Sequence, residues 1–360
     1  MKDSFKEDVW LLLDSSEMGG IESHVYQLAK GLRSFNIGVR VVFLSYYEKP
    51  HPLHTKLENI DVPFIVIEGG LFALLKQIKT LRPAILHTHG YKAGIYCRLL
   101  GPLIKTPVIA SFHAGEIPVG KVRLYDFIDR YSAVLANRRL CVSEEIAQRL
   151  PVSSTVLDNF IDTENISETH GEHIAFVGRL SYEKGPDRFI DIASHFSMVQ
   201  FHIYGDGPEK SNLIYNAPNN VDFHGHQNNM DQVWSEISLL IMPSRHEGLP
   251  MAALEAMSRG IPVIATSVGA MPKLIEHDTN GWLVQEDSSI LMVDWIKHWF
   301  LMSDSQRETM RQKARHSIVT QYSSDVVIPQ LLQHYHHFSD VGHDDMHSGK
   351  NASPARSRNN

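Results

Sequence analysis

The sequence predicts an α/β protein built from two doubly wound, parallel-sheet domains in tandem. Three observations lead there. Short apolar runs alternate with amphipathic helical segments, the alternation occurs twice, and a polar, turn-rich stretch separates the two passes. Runs that are apolar at nearly every position belong to strands covered on both faces, the condition inside a parallel sheet with helices on either side. The 360 residues exceed one ordinary core and suit two domains of about 150–180 residues each.

In the first pass, VWLLLD (9–14) reads as the opening strand and IESHVYQLAKGLRS (21–34) as an amphipathic helix after it. Strands follow at VRVVFLS (39–45), FIVIE (64–68), AILHTH (84–89), PVIASFH (107–113) and RRLCVS (138–143). Helices run through LFALLKQIKTL (71–81), from Tyr91, and through EEIAQRL (144–150). The polar segment STVLDNFIDTENISETHGE (154–172) reads as a linker.

The second pass begins at HIAFVGR (173–179), with a helix after Pro186. Strands at VQFHIYG (199–205), NVDFHG (220–225), LLIMPS (239–244) and IPVIATS (261–267) are separated by helices, one of them starting at Met251. SDVVIPQLLQHYHHF (324–338) reads as a last helix, with Pro329 expected to start it late or kink it. The domain boundaries are therefore 1–160, a linker 161–172, 173–322, and a helix 323–339 packing back toward the first domain. Residues 340–360 have almost no apolar side chains and read as a disordered tail. Two doubly wound domains in tandem place a cleft between the carboxyl ends of both sheets.

Composition narrows the function. Apolar residues make up 43% and charged residues 21%, and the net charge of −7 argues against a general nucleic-acid binder. Between Leu71 and Leu140, however, eleven Lys and Arg stand against three acids, Glu116, Asp126 and Asp129. Such a region suits an anionic membrane or an anionic acceptor, and equally a solvated face with no partner. The two cysteines, Cys97 and Cys141, have no CxxC spacing; a disulfide framework is not expected and a reducing cytoplasm fits. The N-terminal apolar run stops at Asp14, too short for a signal peptide. No stretch approaches the roughly 20 apolar residues of a bilayer span. The expectation is a cytoplasmic protein that at most touches the inner face of the membrane.

Three segments carry chemistry. In PSRHEGLPMAALEAM (243–257), Pro250 suits the first turn of the helix, and the Gly248 and Leu249 amides offer donors for a diphosphate at its N-terminus. Glu247 in the loop and Glu255 in the helix are suited to accept hydrogen bonds from sugar or ribose hydroxyls. In FVGRLSYEKGPDRFI (176–190), Gly178 and Arg179 close a strand while Lys184 and Gly185 precede a helix. Two cations there can neutralise a departing diphosphate. Gly19 and Gly20 follow the first strand and let the backbone approach a ligand, although no GxGxxG fingerprint occurs.

These segments resemble the retaining glycosyltransferases of the family four type, which have the GT-B fold of two Rossmann-like domains facing each other across a cleft. The likeness runs from about Trp10 to Tyr335 and includes GGIE (19–22), HTHG (87–90), SFHA (111–114), VSEEIAQRL (142–150), LDNFID (157–162), VGRLSYEKG (177–185), IYGDGPE (203–209), EGLPMAALEAM (247–257) and NGWLV (280–284). The resemblance implies that Glu255 binds the donor ribose, and that Glu247 with Gly248, Leu249 and Pro250 holds the sugar and diphosphate. It implies that Arg179 and Lys184 stabilise the leaving diphosphate and that His113 sits beside the transferred sugar. Gly19 and Gly20 would border the phosphates from the first domain, with Gly178, Gly205 and Gly207 on the donor side. One departure concerns donor preference: where the family commonly carries Gly-Gly-x-Pro-Glu, this chain has VGAMPKL, with Ala270 and Lys273.

The implied reaction moves a sugar, with retention, from a nucleotide diphosphate (a UDP-sugar is the expected donor) to a glycan, lipid-linked or polysaccharide acceptor. No cofactor is implied. His87 and His89 share a strand face but have no acidic partner, and no Asp-x-Asp occurs; no metal is expected, the two cations taking its place. Two rivals stay open on the sequence: a nucleotide-sugar epimerase of the same architecture, and a non-catalytic nucleotide-sugar-binding subunit.

Overall fold

The structure is a computed structural model that describes residues 8–47, 50–113 and 121–339. The tail expected at 340–360 lies outside them. Seven parallel strands form the first sheet: β1 (Val9–Leu13), β2 (Val39–Phe43), β3 (Phe64–Val66), β4 (Ile85–His89), β5 (Val108–Phe112), β6 (Arg138–Cys141) and β7 (Thr155–Val156), in the order β3-β2-β1-β4-β5-β6-β7. Six form the second: β8 (His173–Val177), β9 (Phe201–Tyr204), β10 (Val221–Gly225), β11 (Ile237–Met242), β12 (Val263–Thr266) and β13 (Gly281–Val284), in the order β10-β9-β8-β11-β12-β13. In each sheet the strand order reverses next to its first strand, and there the flanking loops open a crevice at the carboxyl ends.

The apolar runs are strands because both of their faces are covered. Leu11 and Leu13 of β1 pack with Val25, Leu28 and Leu32 of the helix Gly20–Ser34, while Trp10 and Leu12 pack with Leu74, Ile78 and Cys97 on the other face. Ile174 and Phe176 of β8 pack with Phe189 and Phe201 in the same way. A further cluster runs through both domains, joining Phe112, Val142 and Ile146 of the first to Leu249 and Met251 of the second.

The chain crosses between domains twice, and the crossings are bonded together. Ile161 N donates to Tyr322 O at 3.0 Å and Ser324 N donates to Ile161 O at 3.0 Å. The last helix, Ser324–Ser339, begins ahead of Pro329 and carries it inside. It packs on the helix Gly20–Ser34 at Gly31, where an added Cβ would stand 2.9 Å from Ile328. Thr155–Val156, in the turn-rich stretch that the 1–160 boundary keeps within the first domain, form β7 of the first sheet.

The basic stretch 71–140 is only partly a surface. Arg98 is 1% exposed and pairs with Asp129, whose carboxyl is pushed up to about 6 mainly by burial. Arg139 donates to the carbonyls of Ser153 and Ala136, and Arg138 lies over the Phe338 ring. The helix Lys121–Ser132 is inside out: Asp126 and Asp129 are buried, while Leu124, Tyr125, Phe127 and Tyr131 are each more than half exposed. No described helix is long and apolar enough to cross a membrane.

Candidate active site

The loop after β11 forms the floor of the cleft on the second-domain side. Glu247 is buried, and its carboxylate is held by two donors, Ser244 Oγ at 2.8 Å and Lys184 Nζ at 2.7 Å. Lys184 comes from the loop after β8, so one ion pair joins two of the predicted site residues. Gly185, next to it, has φ +67°, and a Cβ there would lie 2.3 Å from Pro243 O. Only glycine lets the two loops close to this distance. Arg245 reinforces the junction by donating to both carboxylate oxygens of Asp187, at 2.8 and 2.6 Å, and stacking over Tyr182.

The Gly248 and Leu249 amides precede the helix Met251–Ser258. Their carbonyls are engaged, Leu249 O by Asn159 Nδ2 at 2.6 Å and Gly248 O by Ala270 N at 2.8 Å. Among the described residues neither amide donates a hydrogen bond within the protein. Anchored carbonyls and unused N–H groups at a helix N-terminus make an anion site. Pro250 is the N-cap, extended at φ −73° and ψ 131°, one place ahead of the first turn where the sequence put it. Gly269, at φ +56°, presses on this loop: its Cβ would lie 2.3 Å from Glu247 O.

Arg179 follows Gly178 at the end of β8 and is exposed, with no side-chain ion pair among the described residues. Gly205 and Gly207 support it from below. A Cβ on Gly205 would lie 1.9 Å from Gly178 O, and one on Gly207 would lie 2.4 Å from Leu180 O. These glycines thus position the backbone that carries Arg179. Glu255 accepts from Trp234 Nε1 at 3.1 Å and, across the cleft, from Ser23 Oγ at 2.7 Å.

From the first domain come Gly19, the N-cap of helix Gly20–Ser34, and Gly20, at whose Cβ position nothing lies within 4 Å. That open space can admit a ligand. His113 approaches the opposite loop directly, since a Cβ on Gly248 would stand 3.0 Å from His113 O. Burial pulls the His113 imidazole down to about 4, so it is neutral at pH 7. His89 Nδ1 lies 3.1 Å from His113 Nε2, whereas His87 is engaged on both nitrogens, by Tyr335 OH and Ser111 Oγ, each at 2.7 Å.

Sequence reasoning missed Ser23, Asp158, Asn159, Trp234, Ser244 and Arg245. Ser244 and Arg245 stand within three positions of Glu247 in an already singled-out segment, a signal that could have found them. Trp234 and Asn159 act from other elements, and nothing local marks them. Lys273, the departure noted above, forms an ion pair with Asp158 across the domains at 2.5 Å.

Two parallel-sheet domains that close on a pair of unused amides at a helix N-terminus, a lysine–glutamate pair and an exposed arginine have the architecture of a GT-B glycosyltransferase. The family described as "Glycosyltransferase Family 4" matches residues 18–165, and "Glycosyl transferases group 1" matches residues 159–317. The chain belongs to the GT-B glycosyltransferases of the family four type. It is 27% identical over 302 residues to the O-antigen biosynthesis glycosyltransferase WbnH of Escherichia coli, covering 78% of this chain and 86% of that one. It is 24% identical over 255 residues to the UDP-Gal:alpha-D-GlcNAc-diphosphoundecaprenol alpha-1,3-galactosyltransferase of Escherichia coli, covering 60% and 66%. Among solved structures it resembles Anabaena Alr3699/HepE in complex with UDP-glucose, with a TM-score of 0.77 at 18% identity over 91% of this chain and 98% of that one.

Proposed function

We propose that this chain transfers a sugar, with retention of anomeric configuration, from a UDP-sugar to a lipid-linked or polysaccharide acceptor. The observation that carries this reading is the Lys184–Glu247 pair beside the unused Gly248 and Leu249 amides. In that reading the diphosphate lies on the amides with Lys184 and Arg179 against its oxygens, and Glu255 takes the ribose hydroxyls. The bond from the anomeric carbon to the diphosphate breaks, and the two cations hold the negative charge that develops. The acceptor hydroxyl attacks from the same face and its proton passes to a diphosphate oxygen, so the donor side needs neither an enzymic nucleophile nor a metal. Neutral His113 can hydrogen-bond the transferred sugar.

The names of the two Escherichia coli relatives support an acceptor of the O-antigen or undecaprenyl-linked kind, and the HepE complex supports UDP. A lipid-linked acceptor places the enzyme at the inner face of the cytoplasmic membrane as a peripheral protein. The inside-out helix Lys121–Ser132, with exposed Leu124, Tyr125, Phe127 and Tyr131 beside Arg123, suits an anionic lipid surface.

The test is nucleoside-diphosphate release from a panel of nucleotide sugars, with an undecaprenyl-diphosphate-linked sugar as acceptor. Acceptor-dependent release from a UDP-sugar, lost in Arg179→Ala, is the expected result. Interconversion of the donor sugar without acceptor would replace the transferase by an epimerase.

A further inference from the structure

The wall of the first domain holds a cluster of ligating atoms, of which only His113 has been given a contact with the donor. His24 on the helix Gly20–Ser34, His89 at the end of β4 and His113 after β5 converge, with one ligand nitrogen from each within 4.8 Å of the others. His89 Nδ1 and His113 Nε2 are 3.1 Å apart. Two imidazole nitrogens bound tetrahedrally to one ion at about 2.0–2.1 Å stand about 3.3 Å apart. This pair therefore already has the spacing of two ligands of a single metal.

The third ring is as available. His24 Nδ1 is buried and has no hydrogen-bond partner, unlike His87, which is bonded on both sides; on His89 the nitrogen without a partner is Nε2, across the ring from the one that faces His113. Native proteins rarely strand polar atoms in this way without a ligand to engage the group. Burial pulls His24 and His89 well below the usual imidazole range, so the rings are in the neutral, ligating form at pH 7. A negative charge is also at hand. Asp158 lines the same cavity as His24 and His113; its Oδ1 is buried without a partner while Oδ2 holds Lys273.

We propose that His24, His89 and His113 bind one divalent transition metal of the zinc class. Three imidazoles select zinc, cobalt, nickel or copper over magnesium or calcium, which take oxygen ligands. The ion would tie the first helix to the ends of β4 and β5, on the wall facing the Gly248 loop. It is separate from the diphosphate cations, and its binding does not depend on which sugar or acceptor the enzyme uses.

The full-length protein, stripped with a chelator, is titrated with Co2+ and followed by visible absorption and by melting temperature. The expected result is one ion per chain with the intense d–d bands of four-coordinate cobalt and a raised melting temperature. Both signals should fall away in His89→Ala, with at least about a tenfold loss of affinity. They should persist in His224→Ala, which breaks the exposed His202–Asp222–His224 group, and when His336, His337, His343 and His347 are replaced by Ala. Should His89→Ala fail to fold, His24→Gln, close in volume and neutral, reads the same loss. Absent bands, or bands that survive substitution of the folded triad variant, overturn the site.

Discussion

Ser23 and Glu255 meet across the cleft: the Ser23 hydroxyl donates to Glu255 Oε1 at 2.7 Å, and Trp234 Nε1 holds the other carboxylate oxygen at 3.1 Å. A carboxylate oriented from both domains still has lone pairs for ribose hydroxyls. Glu255→Ala should therefore weaken UDP binding by about 1.5–3 kcal/mol, or roughly 10- to 100-fold, the worth of a hydrogen bond to a charged group. Ser23→Ala removes only a neutral partner and should cost about 1 kcal/mol or less. Calorimetric titration with UDP checks both, and wild-type affinity in Glu255→Ala would remove the ribose role.

The two cations should separate stability from turnover. Lys184 neutralises Glu247, whose side chain is 3% exposed. Lys184→Ala strands that carboxylate and should destabilise the fold by up to about 3 kcal/mol, discounted because Lys184 itself is partly exposed. Arg179 is exposed, so Arg179→Ala should leave the unfolding free energy within about 0.5 kcal/mol of wild type. Both should lower kcat by about 10²- to 10³-fold through lost charge stabilisation. Thermal denaturation beside single-turnover kinetics distinguishes them; an Arg179→Ala enzyme with full kcat would end its leaving-group role.

Glycines offer a matched pair of tests. Gly269→Ala forces a left-handed backbone on alanine and drives a Cβ to 2.3 Å from Glu247 O. It should cost about 2–4 kcal/mol and displace the donor loop. Gly20→Ala meets nothing within 4 Å and lies in a helix, so the fold should be unchanged or slightly stabilised. If Gly20 lines the phosphate site, the added methyl should raise the KM for donor without moving the melting temperature.

Eleven of the thirteen described strands were legible in the sequence because a strand buried on two faces is apolar throughout, as Val9–Leu13 is, whereas Gly281–Val284 at the edge of the second sheet was not legible as one. Thr155–Val156 escaped because a two-residue edge strand leaves no periodicity. Lys121–Ser132 escaped for a different reason: its buried stripe holds Asp126 and Asp129 and its exposed stripe is apolar, the reverse of the pattern that marks a soluble helix. At the site, Glu247, Gly248 and Lys184 share short segments whose composition betrays them. Ser23–Glu255 and Lys273–Asp158 join residues more than a hundred positions apart, and only the closed arrangement of the domains brings them together.

Acid should destabilise the protein through histidines buried in neutral form. His51 and His202 are pulled down to about 4, mainly by burial, with His54 beside the first and His173 and His224 beside the second. The unfolded chain titrates near 6.5 and therefore binds more protons than the native one between pH 6.5 and about 4. Their stabilising contribution is complete above 6.5 and is lost as the pH falls through that window, by about 1–2 kcal/mol each at pH 5. Calorimetric melts from pH 7 to 5 should show the fall, with a shallower slope in His202→Gln; a melting temperature flat across this range would contradict the assignment.

The helix Lys121–Ser132 sets the sharpest test of where the enzyme works. Asp129 is held by Arg98 of the helix Tyr91–Leu100, an ion pair that ties the inverted face to the domain, while Asp126 pairs with Arg130 on its own helix. Exposed Leu124, Phe127 and Tyr131 then lie where a lipid interface would take them up, at about 25 cal/mol per Å² of apolar surface removed from water. Phe127→Ser with Tyr131→Ser should weaken binding to vesicles of anionic phospholipid by at least about tenfold, since each ring loses more than 1 kcal/mol of transfer energy. Arg123→Glu should weaken it further, and more strongly at low salt than at high. Because these side chains contribute little to the core, the variants should fold and release UDP from donor with a soluble acceptor analogue at wild-type rates. Vesicle sedimentation decides: binding unchanged by all three substitutions would show that this helix does not meet the membrane.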